Sequence, residues 1–119
     1  MLWQVEYTNE FGGWWDSLSE AQQEAIAAAV GILEDFGPGL GRPLVDQISG
    51  SRYPYMKELR ISKGGALRIL FAFDPRRMAI LLVGGDKSGR WERWYTEAIP
   101  LADTLYEQHL RELRDEGLS

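Results

Sequence analysis

The sequence predicts an α+β fold: a small antiparallel sheet of about four strands, packed with N-terminal helices and closed by a C-terminal helix. Three observations carry that expectation. Ile26, Ala29, Val30, Leu33 and Phe36 recur at spacings of three and four, the stripe of an amphipathic helix. Two apolar runs, Ala66 to Phe73 and Met78 to Val83, are joined by Asp74-Pro75-Arg76-Arg77, which reads as two strands and a hairpin turn. Finally, Leu101, Ala102, Leu105, Tyr106, Leu110 and Leu113 fall on one broad helical face. At 119 residues and 45% hydrophobic content, the expected organisation is one domain, residues 1–119, with enough apolar mass for a core.

Taken in order, Leu2 to Tyr7 is rich in strand formers and is expected as the first strand. Asn9 is the expected cap of a short helical turn through Phe11, Trp14 and Trp15, weakened by Gly12-Gly13. Ser19-Glu20-Ala21-Gln22 is a capping box, so the striped helix starts there, and Gly37-Pro38-Gly39 stops it. Residues 37–54 read as an ordered loop anchored by Leu44, Val45 and Ile48. The second strand is expected at about Tyr55 to Ile61, with Gly64-Gly65 in the next hairpin. In the third strand Leu67, Ile69, Phe71 and Phe73 share one face, and Arg68, Leu70 and Ala72 the other. The fourth, from about Met78 to Gly84, is apolar on both faces, as in a central strand covered on both sides. A short helix near 90–98 and a second starting at Pro100 complete the chain, since proline suits a first helical turn.

Several function classes are excluded or disfavoured. The chain has no cysteine, which removes disulfides, thiolate catalysis and cysteine-based zinc sites. Its longest apolar run is far shorter than a membrane span, and the Met1-Leu2-Trp3-Gln4-Val5 start lacks the features of a secretory signal. Cytoplasmic residence and no membrane partner are therefore expected. The net charge of −5 is unevenly spread. Residues 52–93 hold ten basic against four acidic side chains, +6, while the rest hold three against fourteen, −11. A positive segment on an acidic body suits a polyanionic partner, although a solvated mixed-charge surface has the same composition.

The chemistry available is narrow. His109 is the single histidine, so neither a hydrolytic zinc site nor a serine triad is expected; no metal and no cofactor is called for. His109 itself is expected as a helix-face residue. Gly84-Gly85-Asp86-Lys87 lacks phosphate-loop spacing. What remains is arginine, lysine, glutamate and tyrosine. RNA carries its own nucleophile in the 2′-hydroxyl. A protein that cleaves it can therefore supply in-line geometry, cations for the charged transition state and groups for proton transfer. Arg68 projects from the sheet face opposite Leu67 and Ile69, where it can donate a bidentate pair to a phosphate or pair with Asp74 or Glu58. Lys87, Lys57 and Arg60 are candidates to flank it, with Arg76, Arg77 and Arg90 as further RNA-binding cations. Tyr95 or Glu58 is the candidate proton-transfer group; a tyrosine pKa near 10 requires cationic neighbours for use as a base. Trp91 and Trp94 can stack bases or fill the space beneath the last helix.

In sequence order stand a strand, a Leu18-Ser19-Glu20-Ala21-Gln22 helix start, the Gly37-Pro38-Gly39 loop and Glu58-Leu59-Arg60. Then come Arg68-Ile69-Leu70-Phe71-Ala72-Phe73-Asp74, Leu81 to Gly89 with its Gly84-Gly85-Asp86-Lys87 core, and Trp94-Tyr95 before a closing helix. This order resembles the RelE/ParE toxin superfamily, specifically its phage-derived, HigB-like branch, over nearly the whole chain. The resemblance implies an antiparallel sheet with helices on one side. It also implies the toxin of a bacterial type II toxin–antitoxin system: a metal-independent endoribonuclease, or mRNA interferase, that cuts mRNA on the ribosome and causes growth arrest. A cognate antitoxin of helix-turn-helix type would neutralise it. By the same resemblance Arg68 contacts the scissile phosphate, Tyr95 matches the tyrosine before the last helix and Lys87 stands near a basic residue after the fourth strand. Arg60 matches the arginine of the second-strand motif. Glu58 stands where RelE itself has a lysine, and the acidic balance departs from that of ribosome-dependent toxins. The alternative within the superfamily is a ParE-like, non-catalytic inhibitor of a protein target such as DNA gyrase.

Overall fold

Alternation along the strands of this chain builds two cores rather than one. A computed structural model describes residues 2–63, 66–86 and 91–118, with the side chain of Trp91 left aside. Its elements are β1 (Val5–Tyr7), α1 (Asn9–Asp16), α2 (Glu20–Phe36), a 3-10 turn (Gly37–Gly39), β2 (Val45–Gln47), β3 (Lys57–Ile61), β4 (Leu67–Phe73), β5 (Ala79–Asp86) and α3 (Trp91–Asp115). The strands form one five-stranded sheet in the order β1-β5-β4-β3-β2. On one face Leu67, Ile69, Phe71, Ala79 and Leu81 pack with Phe11 of α1 and Ile26, Ala29 and Leu33 of α2. On the other, Leu70, Ala72, Ile80 and Leu82 meet Ala98, Ala102, Leu105 and Tyr106 of α3.

The α+β class is as the sequence predicts, and four details are corrected. The sheet is mixed, because β1 runs parallel to β5 while β2 to β5 pair antiparallel. It has a fifth strand, β2, in what reads as loop: three residues among glycines and prolines leave too short a pattern to see. Helices cover both faces, not one, which is why β5 is apolar on both sides. And α3 is a single 25-residue helix with Pro100 inside it. Pro100 removes one backbone donor and is tolerated because Ala98 and Ala102 on either side are buried against the sheet. Of the hairpin expected between β3 and β4, Gly64 and Gly65 lie outside the described residues.

Local signals explain the helix ends. Thr8, not Asn9, caps α1: its hydroxyl oxygen accepts from the Phe11 amide at 3.0 Å and donates to the Leu82 carbonyl at 2.7 Å. The Ser19–Gln22 capping box closes in both directions, at 3.2 and 3.1 Å. Phe36, expected on the core stripe of α2, is instead exposed. Trp3 packs so close to Gly37 (φ 59°) that any side chain there would overlap the indole.

A register shift between Leu70 and Phe71 decides which way the end of β5 faces. Leu70 pairs with Val83 while Phe71 pairs with Leu81, so Leu82 is the extra residue of a β-bulge in β5. Leu82 and Val83 both reach the α3-side core, and the alternation beyond them is reset. Gly84 then receives Trp14 on one face and Gly85 receives Trp94 on the other; a methyl group at either position would collide with the ring. The Gly84-Gly85 pair makes room for two indoles.

Candidate functional site

Antiparallel pairing puts Arg60 of β3 directly opposite Arg68 of β4, with Gly85 of β5 on the other side of Arg68. Both arginines share the α3 side of the sheet with Leu70. Like charges facing each other across a strand pair destabilise a sheet unless an anion joins them. Glu58, two residues before Arg60 on the same face, is that anion. Its Oε2 lies 3.3 Å from Arg60 Nε, and its Oε1 lies 3.7 Å from Arg68 Nε. Arg60 also reaches Asp46 of β2 at 3.4 Å.

The fourth participant comes from α3. The Tyr95 hydroxyl donates to Glu58 Oε1 at 2.5 Å, so Tyr95 and Arg68 converge on a single carboxylate oxygen. Burial, then the hydrogen bond and negative charge of Glu58, push the Tyr95 pKa up to about 12; the Arg68 guanidinium offsets only part of this. The hydroxyl is therefore held protonated through neutral pH, as a proton donor. Glu58 is 4% exposed and the Arg68 side chain 12%. Arg68 Nη1 donates to its neighbour's carbonyl, that of Leu67, at 2.8 Å, and its Nε is buried without a hydrogen-bond partner. A buried guanidinium N–H left unmet costs free energy that an incoming oxyanion would return.

Glu58, Arg60 and Tyr95 line a cleft of about 430 Å³ together with Gln47, Ile48, Ser49, Glu92 and Ile99; Arg68 is not among its lining residues and borders, with Arg60, a separate hollow beside α2. The loop wall of the cleft is fixed from behind. Buried Asp103 of α3 accepts from the Ser51 hydroxyl at 2.5 Å and from the Arg52 amide at 2.8 Å, pinning residues 51–52 to the helix.

Of the residues singled out from sequence, four come together: Glu58, Arg60, Arg68 and Tyr95. Three do not. Lys57 precedes Glu58 in an extended strand and so points to the opposite face, where its Nζ donates to the Pro38 carbonyl at 3.3 Å. Arg76 and Arg77 sit in the β4–β5 turn, at the far end of β4 from Arg68. Arg76 is held by Asp74 and Glu6, each at 2.7 Å, and Arg77 lies 5.1 Å over the Trp3 ring with φ 67°. Lys87, Arg90 and the Trp91 side chain lie outside the described residues; β5 ends at Asp86 opposite Leu67, one residue from Arg68.

His109 joins the distant cluster, its Nε2 2.8 Å from Asp74 Oδ2. Burial raises the Asp74 pKa, but hydrogen bonds from His109, Arg76 and the Met78 amide outweigh it and hold the carboxyl below its usual range. That cluster fastens α3 to the turn. Sequence reasoning missed Asp46 and Asp103; neither stands in a motif, and only the β2–β3 register and the fold of the 48–54 loop bring them to the site.

The phage-derived Gp49-like family matches residues 13–107. The chain belongs to the Gp49-like family. Among its relatives, a Mycobacterium tuberculosis protein named "Putative toxin HigB3" is 50% identical over 97 residues, covering 82% of this chain and 84% of the relative. "Putative toxin HigB2" from the same organism is 48% identical over 104 residues, 86% of this chain; those residues span about half, 52%, of that relative's length. Solved structures share the fold at low identity. The Escherichia coli toxin RelE, as a free-state mutant, superposes with a TM-score of 0.59 at 12% identity, over 84% of this chain and 97% of that one. The chain matched in the intact E. coli RelBE toxin–antitoxin complex gives 0.57 at 8% identity, over 71% and 95%. The Gp49-like chain thus resembles HigB-named relatives in sequence and shares its fold with RelE. Among the described residues no helix is long and apolar enough to cross a membrane.

Proposed function

We propose that this protein is the toxin of a bacterial toxin–antitoxin pair and cleaves mRNA on the ribosome by metal-independent attack of the RNA 2′-hydroxyl. Convergence of Arg68 and Tyr95 on Glu58 supports the reading most strongly, since it joins a buried cation and a proton donor to a carboxylate that itself lines a cleft with Arg60 and Tyr95.

In this reading the scissile phosphate enters between Tyr95 and Glu58, taking up the unmet Arg68 Nε–H and the outward face of Arg60. Glu58 accepts the 2′-hydroxyl proton as the 2′-oxygen bonds to phosphorus. Tyr95, kept protonated by its raised pKa, gives its proton to the departing 5′-oxygen. Products are a 2′,3′-cyclic phosphate and a 5′-hydroxyl. When they leave, the Tyr95–Glu58 hydrogen bond reforms and the proton on Glu58 returns to the phenolate, restoring the resting state. Arg68 offsets the charge on the phosphorane-like transition state, a contribution on the order of 10²–10³ in rate for one donor in a dry site. A cognate antitoxin of helix-turn-helix type would neutralise the toxin by covering this cleft.

Mapping transcript ends after induced expression tests the reading. New 5′ ends should appear within minutes with the natural chain and be lost with Arg68→Ala, which should remain folded by circular dichroism. Full growth arrest with intact transcripts would instead indicate a protein target of the ParE kind.

A further inference from the structure

Beside the proton-transfer group, the cleft contains side chains that the cleavage chemistry leaves idle. Glu58 engages Tyr95 and Arg68 through Oε1 and Arg60 through Oε2. The side chains of Gln47, Ser49 and Glu92 make no hydrogen bond or ion pair with any described residue; only the backbones of Gln47 and Glu92 are engaged. Ile48 and Ile99 line the same cleft and pack against the α3-side core, so part of its lining is apolar and anchored. Ile48 is fixed further by its amide, which donates to the Met56 carbonyl at 3.3 Å.

A phosphate does not suit this half of the cleft. Glu92 would repel it, and isoleucine faces offer it nothing. A flat, neutral heteroaromatic ring suits it on both counts: its faces desolvate against isoleucine, and its edge meets acceptors and donors at the rim. The volume, about 430 Å³, accommodates one nucleotide. Glu92 decides which ring. A carboxylate only accepts, through two adjacent oxygens. Guanine alone among the four bases presents two adjacent N–H donors, N1–H and the 2-amino group, on its pairing edge. Adenine and cytosine each place a ring acceptor beside their amine, and uracil flanks its one N–H with carbonyls. Gln47, carrying a donor and an acceptor on one amide, complements the guanine O6.

We propose that this cleft is a guanine subsite beside the scissile phosphate, with Glu92 as the specificity-determining residue; the proposal rests on the ribonuclease reading above. A bidentate pair of this kind discriminates by roughly tenfold or more against a base that cannot form it.

Titrating guanosine 3′-monophosphate and adenosine 3′-monophosphate into the full chain, with amide chemical shifts as the readout, tests it. The guanosine nucleotide should bind at least about tenfold more tightly, with shifts at residues 47–49 and 92–99. Glu92→Gln should reduce that preference to about twofold. Equal affinities in the natural chain, shifts elsewhere, or an undiminished preference in Glu92→Gln would overturn the proposal. Transcript mapping separates the two claims. Cuts with no guanine bias, or a bias that Glu92→Gln leaves unchanged, sink this inference alone. Uncut transcripts together with a Glu92-dependent guanosine preference sink the ribonuclease reading and support the base subsite.

Discussion

Replacing Glu58 by glutamine keeps the size and most hydrogen-bonding capacity of the side chain while removing its charge. The consequence falls unevenly on the two arginines it joins. Arg60 is 29% exposed and retains Asp46 at 3.4 Å, so water and a second carboxylate compensate it. Arg68 is 12% exposed, and Glu58 is the one carboxylate paired with it among the described residues. Breaking a buried pair by removing one partner costs about 3–5 kcal/mol. Because the 3.7 Å contact is long for an ion pair, the lower end applies, about 3 kcal/mol for Glu58→Gln. For a chain of this size that is a melting-temperature loss of about 10 °C. Urea unfolding monitored by tryptophan fluorescence reads the change. Adding Arg68→Met to Glu58→Gln removes the stranded charge, so the double variant should recover more than half of the lost stability and none of the activity. An unfolding free energy for Glu58→Gln within about 0.5 kcal/mol of the natural chain, or no recovery in the double variant, would refute the assignment of Glu58 as the counterion of Arg68.

The same geometry has further consequences. Tyr95 has its folded pKa raised from 10.0 to about 12, so its contribution to stability is complete below pH 10 and is lost as pH rises toward 12. Tyrosinate absorbance should show one high-titrating group fewer in Tyr95→Phe, and that variant should lose less stability between pH 10 and 12. Tyr95→Phe should also lower cleavage by roughly 10²-fold or more in single-turnover assays, the contribution of a positioned general acid. Gly85→Ala drives a methyl group into the Trp94 ring beside Tyr95 and should destabilise by about 1–3 kcal/mol in urea unfolding. Arg77→Ala, at the far turn, should leave the yield of transcript cuts within twofold of the natural chain.

The legible parts of this fold are those where one physical rule acts alone. In α2 the 3.6-residue stripe and the Ser19 box agree, and in β4 strict alternation assigns every side chain to the correct face. The rules fail where two signals compete. Pro100 matches a helix start, yet burial of Ala98 and Ala102 on either side carries α3 through it. At the site, the expectation that Lys57 flanks Arg68 overlooks alternation, which sends Lys57 to the face opposite Glu58, where it meets the Pro38 carbonyl. Arg76 reads as available because the turn that holds it gives no hint that Glu6, seventy residues earlier, returns beside it on β1. Convergence of Arg60, Arg68 and Tyr95 on one carboxylate depends on the β3–β4 register and on the β5 bulge that turns Gly85 toward Trp94. Neither is written in a local motif.

The chemistry of the new RNA ends tests the central claim most directly. If Glu58, Arg68 and Tyr95 act together on the 2′-hydroxyl and one phosphate, transcripts cut after induction carry 5′-hydroxyl ends, which polynucleotide kinase labels without prior phosphatase treatment, and 2′,3′-cyclic phosphates upstream. Ends bearing 5′-phosphates, or cuts that persist unchanged in Arg68→Ala, would contradict it.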